Sequence, residues 1–376
     1  MLPRRIAIIF SIAAVFLLTG CWDKAELVEY GYAQAVAVDL GEGGELNLTT
    51  LFYNPSGSGE TPGAAKPPPK GITIRTKGKS LNEAIEDIPI HFGRKAKLDH
   101  MRVLILGEEL TRQQGVEDLL DFLMRDNEIR KTILVLIAEG KAGEYLEIKP
   151  FIENTIGQQL RRMEEASAKF SSKTSKVPLL DLALQLKSET KVTTVPYVFK
   201  DKDSDEISTA GVALLKEGKM VDAIMQPVDT QALLMLLGKY SKGVVEIADK
   251  ESFQVLSAKT KITTRSSGDD VVASIHIKIT GAISELHRSS VTTRAEQNKF
   301  TGKAQDKLQA DLRKTITYLQ KEQLDALGIG NRVYQQNPAL WKRWKGTWGG
   351  QFAQAEFIIA VEIDIVNTGM QAGAPL

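Results

Sequence analysis

The sequence predicts a multidomain protein of mixed α+β class, with a different sheet in each half of the chain. In the first half, an apolar run at 101–106, a helical pattern at 116–123 and a second apolar run at 132–138 follow one another, as in a βαβ unit. In the second half, long strand-like segments at 253–264 and 271–283 precede a long amphipathic helix. We therefore expect an N-terminal mixed sheet and a C-terminal antiparallel sheet covered by a helix.

Length and composition limit the classes of function. The chain has 376 residues, enough for two or three domains of about 150 residues each. Hydrophobic residues make up 43% of it and charged residues 25%, as in globular proteins that bury a core. The formal net charge is only +1, whereas nucleic-acid binders carry an excess of cations against the phosphates. We therefore do not expect a nucleic-acid partner.

The first twenty residues have the pattern of an export signal. Arg4 and Arg5 precede an apolar stretch, and small residues follow it. The stretch has about thirteen residues, fewer than the roughly 20 that span a bilayer. We predict a signal peptide at 1–20 that is removed, with a retained membrane anchor as the alternative.

Cys21 is the single cysteine of the chain, so an intramolecular disulfide is excluded. The sequence Leu18-Thr19-Gly20-Cys21 resembles a lipobox, where bacteria attach a diacylglyceryl group to the thiol and cleave just before it. The alternative is an ordinary signal peptide followed by an unrelated cysteine. We predict lipidation at Cys21, because the only cysteine of the chain stands at this one position. Two or more acyl chains would anchor the protein stably to a membrane.

Local patterns predict the elements of the first half. The tight connection at 41–44 indicates that the first two strands form a hairpin. Ser80 and Glu83 have the capping-box spacing that begins a helix, and Pro89 is expected to end it. A segment rich in Pro, Gly and Ser at 54–71 predicts a loop. The other predicted elements are strands at 32–40, 46–53, 72–77, 101–106, 132–138 and 193–199 and helices across 152–186, interrupted at 171–178.

A charged run at 200–206 lacks apolar residues and is the predicted linker. It would join an N-terminal domain at 21–199, with a subdomain break near 140–150, to a C-terminal domain at 207–370. The elements predicted in the second domain are strands at 207–215, 220–225, 253–264, 271–283 and 356–366, a short helix at 230–237 and a long helix at 303–327 that Gly328 caps.

A search for catalytic and metal-binding motifs finds none. The four histidines, His91, His100, His276 and His287, lack the spacing of metal ligands. Neither a nucleophile elbow nor a phosphate-binding loop is present. Neighbouring acids at 108–109 and 164–165 diverge on a helix or strand and do not form an acid/base pair. Although catalytic groups can converge from distant positions, we predict a protein that is not an enzyme and has no catalytic residue, metal or cofactor.

Tryptophans are concentrated near the C-terminus. In the predicted helix within 337–350, Trp341, Trp344 and Trp348 follow one another at i, i+3 and i+7. One interpretation is that this stripe packs on the C-terminal sheet. The other is a partner surface, because Trp and Arg are enriched at binding hot spots. In that case Trp344 and the neighbouring Arg343 form the candidate partner surface, and the other two rings are buried.

Several short motifs follow one another along nearly the whole chain. They are Gly20-Cys21-Trp22-Asp23 with Glu26-Leu27, Val38-Asp39, the ten residues HMRVLILGEE at 100–109, Gly328-Ile329-Gly330, and Pro338, Trp341 and Trp348 followed by the strand at 357–365 and Gly369. With them the sequence resembles the Ger(x)C family, the lipoprotein C subunits of bacterial spore germinant receptors. One departure is Ala326-Leu327, where the family often has aromatic residues.

The resemblance implies a non-catalytic subunit, needed for receptor assembly and for the nutrient-triggered start of germination. It implies a lipid anchor on the outer face of the cell membrane or spore inner membrane, and as partners a permease-like A subunit and a B subunit. Only the role of Cys21 carries over to a residue of this chain. Two alternatives are a solute-binding lipoprotein that feeds a transporter, which needs two similar lobes around a cleft, and a cell-envelope hydrolase, which needs a catalytic constellation.

Overall fold

The computed structural model describes residues 27–55, 70–201, 206–248, 250–267, 270–286 and 291–367. The predicted signal peptide, Cys21, His287 and most of the predicted linker lie outside these described residues. Within them, no helix is both long and apolar enough to cross a membrane.

The first sheet is mixed, as the sequence predicts. Its strands are β1 (Tyr30–Leu40), β2 (Leu46–Tyr53), β3 (Gly71–Gly78), β4 (Lys95–Lys97), β5 (Val103–Gly107), β6 (Leu134–Ala138), β7 (Val192–Lys200), β8 (Ile207–Lys216) and β9 (Lys219–Ile224). They lie in the order β3-β2-β1-β5-β6-β7-β8-β9, and the short β4 pairs with the start of β1. The central strands β1, β5, β6 and β7 are parallel, and the outer ones are antiparallel.

Helices cover both faces of this sheet. They are α1 (Leu81–Glu86), α2 (Ile88–Phe92), α3 (Glu108–Gln113), α4 (Glu117–Arg125), α5 (Ala142–Tyr145), α6 (Ile156–Phe170) and α7 (Leu179–Leu186). Every residue of β5 and β6 is buried, as their continuous apolar runs require. The Ser80 hydroxyl accepts a hydrogen bond from the Glu83 N–H at 3.2 Å, which confirms the predicted cap. Pro89 does not end helical structure, because it lies in the first turn of α2. Residues of the first turn donate no hydrogen bond within the helix, so a proline is tolerated there.

The second sheet is built by the rest of the chain. Its elements are α8 (Pro227–Leu236), β10 (Gly243–Ala248), β11 (Glu251–Ser267), β12 (Asp270–Glu285), α9 (Arg294–Lys321), α10 (Ile329–Gln336), α11 (Pro338–Trp344), α12 (Trp348–Gln354) and β13 (Glu356–Asn367). The strand order is β10-β11-β12-β13. The predicted antiparallel pairing holds except that β13 runs parallel to β12, because the intervening helices carry the chain back to the start of β12. Helix α9 begins earlier than predicted, since Thr293 and Glu296 form a capping box.

The segment 200–206 connects two neighbouring strands of one sheet. Strands β7 and β8 pair from Val192↔Lys216 to Lys200↔Ile207, so this segment is a hairpin connection and does not link the two sheets. Residues 207–224 belong to the first sheet, against the predicted boundary. The division into independently folding domains that meet at 200–206 stays a prediction.

The polar segment that interrupts the predicted helices at 171–178 joins the two sheets. The buried Ser172 hydroxyl accepts hydrogen bonds from the N–H groups of Ser241 and Lys242 at 2.9 and 3.1 Å and donates to the Lys242 carbonyl at 2.8 Å. The Thr174 hydroxyl donates to the Gly211 carbonyl of β8 at 3.2 Å. Apolar side chains of β7 and β8 also pack in the core of the second sheet. The two sheets therefore share a core and a hydrogen-bonded joint.

Cleavage between β7 and β8 tests this arrangement. We expect a protease site inserted between Asp203 and Ser204 to be cut without separating the fragments, because paired strands and shared core hold them together. The cut protein should elute as one species and unfold in one transition in size-exclusion and thermal measurements. An identical insertion with a scrambled site is the control. Two separate folded fragments would instead support independent domains that meet at 200–206.

A buried acid lies beside this joint. Glu164 on α6 is fully buried, and one of its oxygens accepts the Val177 N–H at 3.3 Å. Burial raises the pKa of Glu164 well above the ordinary 4.5, although the Val177 N–H opposes the shift. The folded state therefore binds this proton more tightly than the unfolded chain does.

This shift gives a pH-dependent prediction. The stability contributed by the proton on Glu164 is present below pH 4.5 and is lost as pH rises through the raised pKa of the folded state. We expect Glu164→Gln, which does not titrate, to gain stability relative to the natural protein as the pH rises from 4.5 through the neutral range. Urea unfolding of both proteins across this range measures the difference. Glu165→Gln is the matched control on the next residue, and a difference for Glu164→Gln that is independent of pH would contradict the prediction.

Candidate functional site

The carboxyl ends of the parallel strands meet at one edge of the first sheet, where open α/β sheets commonly bind ligands. Two acids that the sequence motifs contain lie at this edge. Asp39 is the penultimate residue of β1, and Glu108 directly follows β5 and begins α3. We call this region, with Tyr197 of β7, the carboxyl edge.

The Asp39 carboxylate joins β1 to the connection after β6. Its oxygens accept the N–H groups of Ala142 and Gly143, the first residues of α5, at 2.7 and 2.8 Å. Burial raises the pKa of Asp39, and these two N–H groups oppose the shift. Gly107 must lack a side chain, because a Cβ there would lie 2.1 Å from Asp39 Oδ1. Asp39 therefore holds the end of β1 to the start of α5.

Glu108 accepts hydrogen bonds from three directions. Its Oε2 receives the Tyr197 hydroxyl at 3.0 Å and the Gly140 N–H at 3.3 Å, while Oε1 receives Arg112 Nε at 2.9 Å. Burial acts to raise the pKa of Glu108, but Arg112, the Gly140 N–H and the Tyr197 hydroxyl outweigh it and hold the pKa below its usual value. Burial and the Glu108 charge raise the pKa of Tyr197, which stays a hydrogen-bond donor. Glu108 therefore acts as the charged acceptor and Tyr197 as the neutral donor in this pair.

An open depression of about 480 Å³ lies beside Asp39. Its rim has cations, among them Lys77 and Lys141, and acids, among them Glu144. Arg75 and Glu147 form an ion pair across it. The described residues contain no cluster of three or more metal-ligating side chains. The charged side chains on its rim allow the depression to contact charged groups.

The second group of motif residues surrounds the fully buried Asp325. Its carboxylate accepts the N–H groups of Ile329 and Gly330 at 2.9 and 2.7 Å, at the start of α10. It also accepts Trp348 Nε1–H at 2.9 Å. Burial raises the pKa of Asp325, and these donors oppose the shift. One carboxylate thus connects the end of α9, the start of α10 and the tryptophan cluster, by which we mean Trp341, Trp344 and Trp348.

The rings of the tryptophan cluster contact one another. Trp341 and Trp348 meet edge to face with centroids 5.1 Å apart, and Trp344 stacks on Trp348 at 6.4 Å. Trp341 Nε1 donates to Glu189 Oε2 at 2.7 Å, which links the cluster to the connection before β7. A Cβ on Gly330 would lie 2.7 Å from the Trp341 ring, so the glycine of this motif is required by packing.

The predicted exposure of Trp344 is wrong. Only 5% of its surface is accessible, and the other two rings are buried as well. The spacing argument assumed one continuous helix, whereas a 3-10 turn at Lys345–Thr347 interrupts it and brings Trp348 over Trp344. The stripe is core, as the first interpretation proposed. Arg343 is exposed and stays the candidate contact residue on α11.

Sequence reasoning missed the residues that organise both regions. Asp325 had a local signal, because an acid just before a helix start satisfies free N–H groups and the helix dipole. Glu189 had none, since its partner Trp341 is 152 positions away. Tyr197, which donates to Glu108, and Gly107, which leaves room for Asp39, also gave no local signal. Their contacts form only when separate strands meet at the carboxyl edge.

Substitutions in α11 and α12 test the burial of the tryptophan cluster. We expect Trp344→Ala and Trp348→Ala each to lower the free energy of unfolding by about 3–5 kcal/mol, because each removes a buried ring. Arg343→Ala is the control on the same helix and should change it by less than about 0.5 kcal/mol. Chemical denaturation of the purified proteins measures all three. Native stability of Trp344→Ala would show that this ring is exposed after all.

Comparisons with known proteins agree with this architecture. Residues 23–200 match the family model described as "Spore germination protein N-terminal domain", and residues 210–369 match "Spore germination B3/ GerAC like, C-terminal". Spore germination protein B3 of Bacillus subtilis (strain 168) is 24% identical, over 96% of this chain and 97% of the relative. Spore germination protein YndF of the same organism is 25% identical, over 96% of each chain.

A solved structure has the same fold. The chain described as "Crystal Structure of the GerBC protein" aligns with a TM-score of 0.59 and 22% identity, over 92% of this chain and 100% of that chain. Together, the two family models cover nearly all of the sequence, in both halves of the chain. The chain belongs to the Ger(x)C family of spore germination proteins.

Proposed function

We propose that this chain is a lipid-anchored, non-catalytic subunit of a spore germinant receptor, needed for receptor assembly and for the nutrient-triggered start of germination. Membership of a spore germination family over both halves of the chain carries the proposal. In this proposal Cys21 bears the lipid on the outer face of the cell membrane or spore inner membrane. The partners are a permease-like A subunit and a B subunit.

A non-catalytic role is supported by what three acids in these two regions do. Asp39, Glu108 and Asp325 each accept two or more hydrogen bonds from neighbouring segments. Catalytic acids and bases need a free proton site that faces a substrate. In these three carboxylates, the hydrogen-bonding capacity is used to hold the fold.

A contact with the other subunits needs an exposed surface. Trp344 is buried and is withdrawn as a hot spot. Arg343 is exposed on α11, and its guanidinium can form paired hydrogen bonds with a carboxylate of a partner. We propose Arg343 as a contact residue, and Arg343→Ala, which should leave stability unchanged, is suited to assembly measurements.

The solute-binding alternative requires two similar lobes. The two sheets differ instead, with nine strands in one and four in the other among the described residues. Titration of the purified protein with amino acids, sugars and nucleosides separates this alternative from the proposal. An activity screen on peptidoglycan tests the hydrolase alternative.

The lipid anchor is tested at Cys21. We expect Cys21→Ala to abolish labelling with palmitate and to leave the protein uncleaved or shed, because the thiol that forms the thioether is gone. Ser11→Ala, within the same apolar stretch, is the control and should label normally. Palmitate incorporation by Cys21→Ala would refute lipidation at this residue.

The receptor role is tested by assembly. The lipidated protein should co-purify from spore membranes with the products of the genes that flank its own gene. Spores that carry Cys21→Ala should start germination more slowly when nutrient is added. If the protein purifies alone and its deletion leaves germination unchanged, the receptor proposal fails.

A further inference from the structure

The amino end of β1 lies close to the proposed anchor. Tyr30 begins β1 and follows Cys21 by about nine residues, which span at most about 30 Å. A lipid on Cys21 therefore holds this end of the first sheet near the membrane surface, a step that rests on the proposed function. The carboxyl edge lies at the other end of the same strands.

One side of the amino end is formed by β4 and α2. Strand β4 runs beside the first residues of β1, with Lys95 paired to Tyr30. Helix α2 is fixed from within, since the Phe92 ring stacks on Phe52 with centroids 4.4 Å apart. This packing leaves Ile90 on the outer side of the helix, with 78% of its surface exposed.

Cations follow directly on this side. Gly93 has φ +68, in the left-handed region that favours glycine, and ends α2 so that Arg94 and Lys95 continue into β4. Both side chains are exposed, and among the described residues neither has an ion-pair partner. Two acids at this end lie beside basic side chains: Glu128 forms an ion pair with Lys97, and Asp87 is in hydrogen-bond contact with His91.

The other side of the amino end is formed by the loop between α5 and α6. Phe151 and Ile152 in this loop are 70% and 95% exposed. The Phe151 N–H donates to Gln159 Oε1 at 2.5 Å, which holds the loop against α6. Lys70 Nζ donates to Asn154 Oδ1 at 2.6 Å.

The strand register gives the level of this loop. Lys70 immediately precedes β3, whose first residue Gly71 pairs with Tyr53, the last residue of β2. Phe52, one residue earlier in β2, pairs with Ala33 near the start of β1. The loop therefore lies at the same end of the sheet as Ile90. This end is opposite the carboxyl edge.

Exposed apolar side chains and unpaired cations thus occur together at the end of the sheet that the anchor holds near the membrane. This combination binds anionic bilayers, because apolar side chains enter the interface while cations contact the lipid phosphates. We propose that Ile90, Phe151 and Ile152, with Arg94 and Lys95, form a docking surface for anionic phospholipid headgroups. The carboxyl edge then faces away from the membrane.

The experiment uses the full lipidated chain in vesicles of equal parts phosphatidylcholine and phosphatidylglycerol. Because Cys21 carries the lipid and is the single cysteine, an added thiol can be labelled alone. Ile90→Cys and Ile152→Cys receive an environment-sensitive fluorophore, and Glu109→Cys, exposed on α3 at the carboxyl edge, is the control. We expect a blue shift and quenching by spin-labelled lipid at positions 90 and 152 but not at 109.

Charge reversal tests the cations. Arg94→Glu combined with Lys95→Glu should lower the lipid quenching at position 152 several-fold. The matched control, Lys259→Glu with Lys261→Glu on the exposed face of β11, should leave it unchanged. Equal quenching in vesicles of phosphatidylcholine alone would overturn the part assigned to the cations.

The outcomes separate this inference from the proposed function. Failure of the protein to float with vesicles would refute the lipid anchor. Flotation with the probes at 90 and 152 still in water would leave the anchor intact and overturn the docking surface. Probes shielded from aqueous quencher but not reached by spin-labelled lipid would indicate a protein contact and would also overturn it.

Discussion

The fold of the second half depends on one buried carboxylate. Asp325 is fully enclosed, and an enclosed charge is strongly unfavourable unless donors surround it. Three N–H groups supply that compensation, two from the start of α10 and one from Trp348. Because these donors belong to separate segments, the carboxylate is satisfied only when all of them are in place. The requirement therefore couples α10, the tryptophan cluster and the end of α9 into one cooperative unit.

The first half uses the same device. Asp39 joins the end of β1 to the start of α5, and Glu108 joins α3 to β7 through Tyr197. Glycines accompany the acids where no side chain fits, as at Gly107 and Gly330. Each of these acids thus lies beside the donors and the space that it needs. From the sequence alone, such acids could be mistaken for catalytic residues. In the structure, their hydrogen-bond partners are other segments of the same chain.

The sequence alone predicted those parts of the fold that local patterns encode. The continuous apolar runs of β5 and β6 and the cap at Ser80 were identified correctly, because burial on two faces and capping both depend on neighbouring residues. The direction of β13 was not, since it depends on the path of four helices. The pairing of the strands on either side of 200–206 was not predicted, because a charged connection has the same composition in a hairpin as in a linker. Sequence reasoning finds elements more readily than their partners.

If the chain is lipid-anchored as proposed, the joint between the sheets has a consequence for how it meets a partner. Ser172 bonds to the segment before β10, and Glu189 bonds to Trp341 and to Lys345, which lies in the turn after α11. These bonds, with the shared core, restrict independent rotation of the two sheets more than a flexible linker would. An orientation imposed at one end of the first sheet is therefore passed to α11 and the exposed face of β11. Any partner that binds Arg343 would then meet a surface whose height and direction above the membrane are set by the first sheet.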